Sequence, residues 1–340
     1  GLVNGETLAL GTDYTATGTF GSADAGENKS VTVTVTLTSD KTKNYGLAQN
    51  TTTATADITK ASSSITTAPA ASGITYGQAL SDSNLTGGEG NVAGAFAWKD
   101  GTVKPSAGTA QHEVIFTPTD TTNYNTATVN VSVTVDKATP TIAWGSAAQT
   151  FTYTGQPAQI TAPTVTLVNG ETFSGTISYS YTGTSSGTGI PVNAGTYTVK
   201  ASIPAQGNYT AAESGEMTLT INKATYTGQT AASTSGKYGR EKTYDLSDLL
   251  PDGYKLGTPT KTDTNNIFGG DPILNGAALT YKLADNAGVG KTGTITVPVT
   301  ESTNYNTFDL TITVTVTDKI VPTLTVTPIS VPYTGSAVPA

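Results

Sequence analysis

The stretch TDTTNYNTATVNVSVTVDKATP, residues 119–140, decides the fold. In it Val129, Val131, Val133 and Val135 alternate with Asn130, Ser132 and Thr134. Successive side chains of a strand point to opposite faces, so this period of two predicts a strand with one buried and one wet face. An Asn-Tyr pair stands before the strand, and Asp-Lys-Ala and a proline follow it. Versions of this phrase occur three more times.

Aligned on the Asn-Tyr pairs, the chain falls into register at Asn44-Tyr45, Asn123-Tyr124, Asn208-Tyr209 and Asn304-Tyr305. A lysine follows each Asn after 16, 14, 15 and 15 residues, at Lys60, Lys137, Lys223 and Lys319. Upstream of each pair lies Ala25-Gly26, Ala107-Gly108, Ala194-Gly195 or Ala287-Gly288. Beyond the lysines come Tyr76-Gly77, Tyr153-Thr154-Gly155, Tyr238-Gly239 and Tyr333-Thr334-Gly335. Lysine-to-lysine periods of 77, 86 and 96 residues are too long for a solenoid and suit a small sandwich domain.

Alternating runs fill the space between landmarks: Val31 to Leu37, Met217 to Ile221, Leu310 to Val316, and the weaker Ala54, Ala56, Ile58. Helical periodicity is absent, with one turn expected in YDLSDLL at 244–250. The reading is all-β: tandem immunoglobulin-like β-sandwich modules in an elongated array. Expected boundaries are a partial module at 1–61, complete ones at 62–138, 139–224 and 225–320, and the start of another at 321–340. LVNGET at 2–7 recurs at 167–172, so the chain is expected to begin partway through a repeat as a piece of a larger exported protein. The Ala-Gly glycines, Gly26, Gly108, Gly195 and Gly288, are read as turns leading into the penultimate strand, because Gly tolerates positive φ. In the Asn-Tyr loop, Asn is expected to bond its own backbone. Tyr45, Tyr124, Tyr209 and Tyr305 are expected to cover the sandwich end with each hydroxyl on a partner.

Composition narrows function. Charged residues make up 12% of the 340, and there are one His, one Met and no Cys. A net charge of −8 with no Lys/Arg-rich window argues against nucleic acid. No apolar run of membrane-spanning length is present in this stretch.

ITYGQAL (74–80), VNAGTYTVKA (192–201), NYTAAESGEMTLTINKA (208–224) and PTDTTNYNTATVNVSVTVDKA (118–138) resemble MBG-type bacterial repeats. GTFGSADAGENKSVTVT (18–34) and NTTTATADITKA (50–61) are similar to the related YDG-type repeat. The resemblance implies immunoglobulin-like sandwiches in tandem, in large surface or secreted bacterial adhesin-like proteins, with no catalytic or cofactor residues. The fourth repeat departs from the pattern in KYGREKTYDLSDLLPDGY (237–254) and NNIFGGDPILNG (265–276). Asn265, Asn266, Phe268 and Asp271 in that insertion are the candidate ligand contacts.

Chemical motifs were weighed against ordinary turn and core roles. AGVGKT (287–292) ends like a phosphate-cradling loop, but Asp285 stands where a Gly is needed and a strand pattern follows. His112 is expected to face solvent on a strand. Trp98 is expected in the core, as on the third strand of immunoglobulin domains, and Trp144 at an inter-module contact. Acids such as Asp82, Glu89 and Asp120 read as solvated loop charges rather than calcium ligands. Lys29, Lys200 and Lys282 are available to an isopeptide crosslink, which needs a buried lysine. No catalytic, metal or cofactor site is expected. The functional expectation is a non-enzymatic stalk or spacer of a bacterial cell-surface adhesin-like protein, extracellular, on the cell surface or secreted. Its alternative is a module that binds glycan or host-matrix protein through the fourth repeat or a module junction. Expected partners are such a surface glycan or matrix protein and neighbouring repeats of the chain, with no nucleic acid and no membrane insertion in this stretch.

Overall fold

Valine and threonine in alternation leave a strand only one way to lie, with valines inward, and the fold is built from pairs of such strands. The structure is a computed structural model that describes residues 2–3, 5–183, 189–318 and 325. The expected fifth repeat, Lys319 and Tyr333-Thr334-Gly335 fall outside the described residues apart from Thr325. The chain divides into two compact units. One is Gly1–Thr141 with Val165–Thr176 and Ile203–Ala212; the other is Ile142–Thr164 with Ile177–Ser202 and Glu213–Ala340. The first unit therefore takes in two loops of the third repeat besides the first two repeats.

In the first unit, Gly26–Leu37 is the centre of a three-stranded antiparallel sheet between Tyr14–Phe20 and Thr51–Ile58. The register places Thr17 beside Thr34 and Thr34 beside Thr51, so these threonines share one face and Val31, Val33 and Val35 lie on the other. The second repeat has a four-stranded sheet in the order Ile74–Thr75, Ala127–Asp136, Gly108–Pro118, Gly94–Trp98. Ile65–Thr67 pairs with Glu89–Gly90, and Ala70–Ala71 with Leu85–Thr86, as two short ribbons outside that sheet. Ile74, Leu80, Val133 and Val135 form the core, with Trp98 packed against them.

In the second unit, Ala148–Thr152, Met217–Asn222, Gly195–Ile203 and Ser178–Gly183 lie side by side. They bury Tyr197, Val199, Met217, Leu219 and Ile221. The fourth repeat is the largest sandwich. Ala231–Lys237, Phe308–Thr317 and Thr292–Glu301 form the body of a five-stranded sheet. A three-stranded sheet of Glu241–Asp245, Ala278–Lys282 and Ile273–Asn275 completes it. Leu310, Ile312 and Val314 are fully buried between them. Each such side chain contributes about 1.5–3 kcal/mol on leaving water. The expected turn at 244–250 is a 3-10 turn over Ser247–Leu249.

One topological rule recurs. The last strand of the second, third and fourth repeats pairs antiparallel with the penultimate strand. On its other edge it pairs parallel with an early strand of the same repeat: Ile74–Thr75, Ala148–Thr152 or Ala231–Lys237. This ties an early strand of each repeat to its end.

Two expectations for single residues change. His112 does not point freely into water: its ring stands edge-on to Trp98 at 6.4 Å, and its Nε2 is buried without a hydrogen-bond partner. The large indole next door covers it, a contact the two-residue period could not anticipate. Trp144 is an internal contact, not a junction one. Its Nε1–H donates to Ser214 Oγ at 3.1 Å and to the Gly215 carbonyl at 3.0 Å, and its ring lies 6.2 Å from Tyr179.

Glycines allow aromatic packing in the second repeat. A Cβ on Gly94 would stand 2.5 Å from Phe116 Cζ and 2.5 Å from the Thr117 carbonyl oxygen. Gly94→Ala is therefore expected to destabilise the protein by about 1–3 kcal/mol through overpacking. Gly145→Ala, where a Cβ meets nothing within 4 Å, is expected to stay within about 0.5 kcal/mol. Chemical denaturation of the two variants side by side checks this.

Candidate functional site

The landmarks that recur along the sequence meet in space at the junctions between repeats. At the end of the second repeat, Ala138 N–H donates to the Asn208 carbonyl at 3.0 Å, and Thr210 N–H donates to the Ala138 carbonyl at 2.9 Å. The same two bonds join Ala61 to Asn123 and Asn125, at 2.8 and 2.9 Å, and Ala224 to Asn304 and Asn306, at 2.9 and 2.8 Å. The alanine after each junction lysine is thus held in a parallel bridge by the Asn-Tyr loop of the following repeat.

The asparagine side chain then reaches back across the junction. Asn123 Oδ1 accepts the Ala25 N–H at 2.8 Å, Asn208 Oδ1 that of Ala107 at 3.0 Å, and Asn304 Oδ1 that of Ala194 at 2.8 Å. Its Nδ2 is used as well. Asn123 donates to Asp120 Oδ2 at 2.9 Å and Asp24 Oδ1 at 3.3 Å, and Asn304 donates to Asn193 Oδ1 at 3.0 Å. Only a short carboxamide offers both an acceptor and donors at this reach; Asp lacks the donors and Ala lacks both. The sequence reading kept Asn within its own loop. In the structure its carboxamide spans two repeats.

Lysines add a third tie. Lys60 Nζ donates to the Thr121 carbonyl and Lys223 Nζ to the Ser302 carbonyl, each at 2.6 Å. Both carbonyls lie two residues before the clamp asparagine. Tyrosines add a fourth. Tyr76 stands edge-on to Tyr209 at 5.5 Å, and Tyr153 edge-on to Tyr305 at 5.4 Å. Each pair joins the Tyr-Gly landmark of one repeat to the Asn-Tyr landmark of the next. Tyr226 adds a further edge contact to Tyr305 at 5.1 Å and stacks on Phe308 at 4.3 Å. Gly77 has φ +101°, and a Cβ there would stand 3.0 Å from Val168, so only glycine allows this approach.

The LVNGET echo has its explanation here. Glu171 accepts the Tyr76 hydroxyl at 2.5 Å on Oε1 and the Tyr209 hydroxyl at 2.9 Å on Oε2. Glu6 accepts the Tyr45 hydroxyl in the first copy. Burial, and then the bond to Glu171, push the Tyr209 phenol up to about 12. The bond to Glu171 also raises Tyr76, and that to Glu6 raises Tyr45. A carboxylate acceptor favours the protonated phenol, which explains the direction. Sequence reasoning did not single out Glu171 or the Ala107 N–H; the repeated hexapeptide was the available signal.

Tyr124 lies half-buried in the bridge to Ala61. Gly26, Gly108 and Gly195 open the strands that follow them. Gly288 sits in a turn ahead of Thr292–Glu301, and Ala287 N–H there donates to the Ala284 carbonyl at 3.1 Å. AGVGKT is therefore a turn that enters a strand. In the fourth-repeat insertion, Asn265 Nδ2 donates to the Thr292 carbonyl at 2.8 Å, and Asn266 has φ +53°. Phe268 is buried in the core against Tyr281, and exposed Asp271 pairs with Lys261 at 3.0 Å. Among the described residues no lysine is buried, and no group of three His, Cys, Asp or Glu side chains is placed to hold a metal.

The YDG domain family profile matches residues 1–56. No curated protein matches the chain. Drosophila N-cadherin EC1-4 is similar at a TM-score of 0.27 and 9% identity, over 86% of this chain and 84% of that one. The insect immune protein hemolin is similar at 0.28 and 9%, over 85% and 82%. An endo-fucoidan hydrolase of glycoside hydrolase family 107 is similar at 0.23 and 12%, over 67% of this chain and 37% of that chain. Likenesses this loose carry no functional argument. The first segment carries the YDG signature, and the sheets themselves establish the β-sandwich array.

Two predictions follow from the junction geometry. Asn208→Ala leaves the Ala107 N–H without its acceptor and is expected to cost about 1–3 kcal/mol. It is also expected to speed hydrogen exchange at Ala107, read by NMR, while exchange in the Gly108–Pro118 strand stays unchanged. The second concerns alkali. Tyr209 is raised to about 12 in the folded state, against about 10 unfolded. Its contribution is therefore fully present below pH 10 and lost as pH rises through 12. Melting temperature should hold to about pH 10 and fall beyond it. Glu171→Gln should bring the late phenol transition in ultraviolet absorbance to lower pH.

Proposed function

We propose that the chain is a non-enzymatic stalk or spacer of a bacterial cell-surface or secreted adhesin-like protein. The single observation that carries this reading is the recurrence of one junction three times, at Asn123, Asn208 and Asn304, with the same backbone bridge and the same reach of the carboxamide. A side chain and a backbone bridge per junction restrict rotation between neighbours more than the short connecting peptide does. Repeated stiff joints serve a part whose task is to hold distance. The landmark residues have that task in this reading, and the MBG-like character of residues 62–320 belongs to it. Among the described residues no helix is long and apolar enough to cross a membrane.

Small-angle scattering of the purified chain tests the proposal. The expected profile is that of a stiff, elongated particle. The Asn123→Ala, Asn208→Ala, Asn304→Ala triple variant should stay folded by circular dichroism but show a broader distance distribution. A compact profile for the parent chain, or an unchanged one in the folded triple variant, would overturn it.

A further inference from the structure

In the first unit, the LVNGET loop and the loop that carries Asn208 and Tyr209 enclose a cavity of about 220 Å³. Phe173 stands in its wall among Thr172, Ser174, Gln206 and the prolines Pro140 and Pro204, with Tyr209 as a second aromatic residue of the lining. The ring is fixed by a bare backbone: a Cβ on Gly175 would lie 2.6 Å from Phe173 Cζ and 3.1 Å from Gln206 Oε1. Glycine at 175 thus lets the loop lie flat on the ring edge and keeps the Gln206 carboxamide beside it. Glu171 and Tyr209 also line it, with the carboxylate held by two phenols. The lining combines the Phe173 and Tyr209 rings with the hydroxyl-bearing Thr172 and Ser174 and the carboxamides Gln206 and Asn208, and it holds one carboxylate and no cation. That set suits a neutral ring that is apolar on one face and edged with hydroxyls, and it suits neither an anion nor a long aliphatic chain.

We propose that this cavity is a binding site for a single neutral pyranose, such as the terminal sugar of a glycan. The sugar would stack on Phe173 and bond through its hydroxyls to Thr172, Ser174 and Gln206. The volume is below the usual range for drug-sized ligands and fits one ring. The first copy of the hexapeptide is followed by Leu8 where the third repeat has Phe173. The first loop therefore lacks the platform that the third repeat has.

The test is saturation-transfer NMR on the whole chain with the methyl pyranosides of glucose, galactose, mannose and N-acetylglucosamine. At least one is expected to bind saturably, with a dissociation constant on the order of 1 mM. Ser174→Trp fills the cavity from an exposed position and Phe173→Ala removes the platform. Each is expected to weaken that binding at least tenfold. If Phe173→Ala fails to fold, Ser174→Trp alone decides. Absence of transfer from all four sugars, or binding that survives Ser174→Trp, would overturn the proposal. The scattering profile of Ser174→Trp should match the parent, so this result and the stalk reading stand or fall separately.

Discussion

A backbone N–H at the turn into a penultimate strand lies beyond the ladder of its own sheet and must still find an acceptor. At Ala25, Ala107 and Ala194 that acceptor is an asparagine about a hundred residues further along. Much of the rest of each junction follows from this requirement. The asparagine can reach the alanine only if its loop is fixed beside the exit of the previous repeat, and the two backbone bonds to Ala61, Ala138 and Ala224 fix it. The lysine before that alanine then lies within reach of the same loop, and at Lys60 and Lys223 it takes a carbonyl there.

Aromatic contacts reinforce this frame without repeating it identically. The joint between second and third repeats uses Tyr76, Tyr209 and the shared carboxylate of Glu171. That between third and fourth uses Tyr153 and Tyr226 edge-on to Tyr305, with Tyr226 stacked on Phe308. The first joint adds Asp24 and Asp120 around Asn123. The polar clamp is common, and the surrounding packing is particular to each joint. Stiffness can therefore differ along the chain while the connection stays the same.

Much of the architecture was legible because its physics is local. A period of two in Val129 to Val135 or Leu310 to Val316 can only be a half-buried strand, and four recurring landmarks in one order mark repeats. Trp98 was readable as a core residue because an indole beside alternating apolar positions has few other places to go. The failures were non-local. Trp144 finds Ser214 and Tyr179 far along the chain, and His112 is covered by a ring from a neighbouring strand.

The sequence by itself determined that this is an all-β chain of repeats, which residues recur, and that they are spaced as strand ends and turns. It left open why asparagine, tyrosine, lysine and Ala-Gly recur together, because spacing along one chain does not say which distant groups become neighbours. Tertiary structure decided that they converge on a single joint and that Glu171 holds two tyrosines from different repeats. The physical reason is that backbone N–H groups left over at the edge of one domain are satisfied by the next, and only the packed chain shows which side chain arrives to do it.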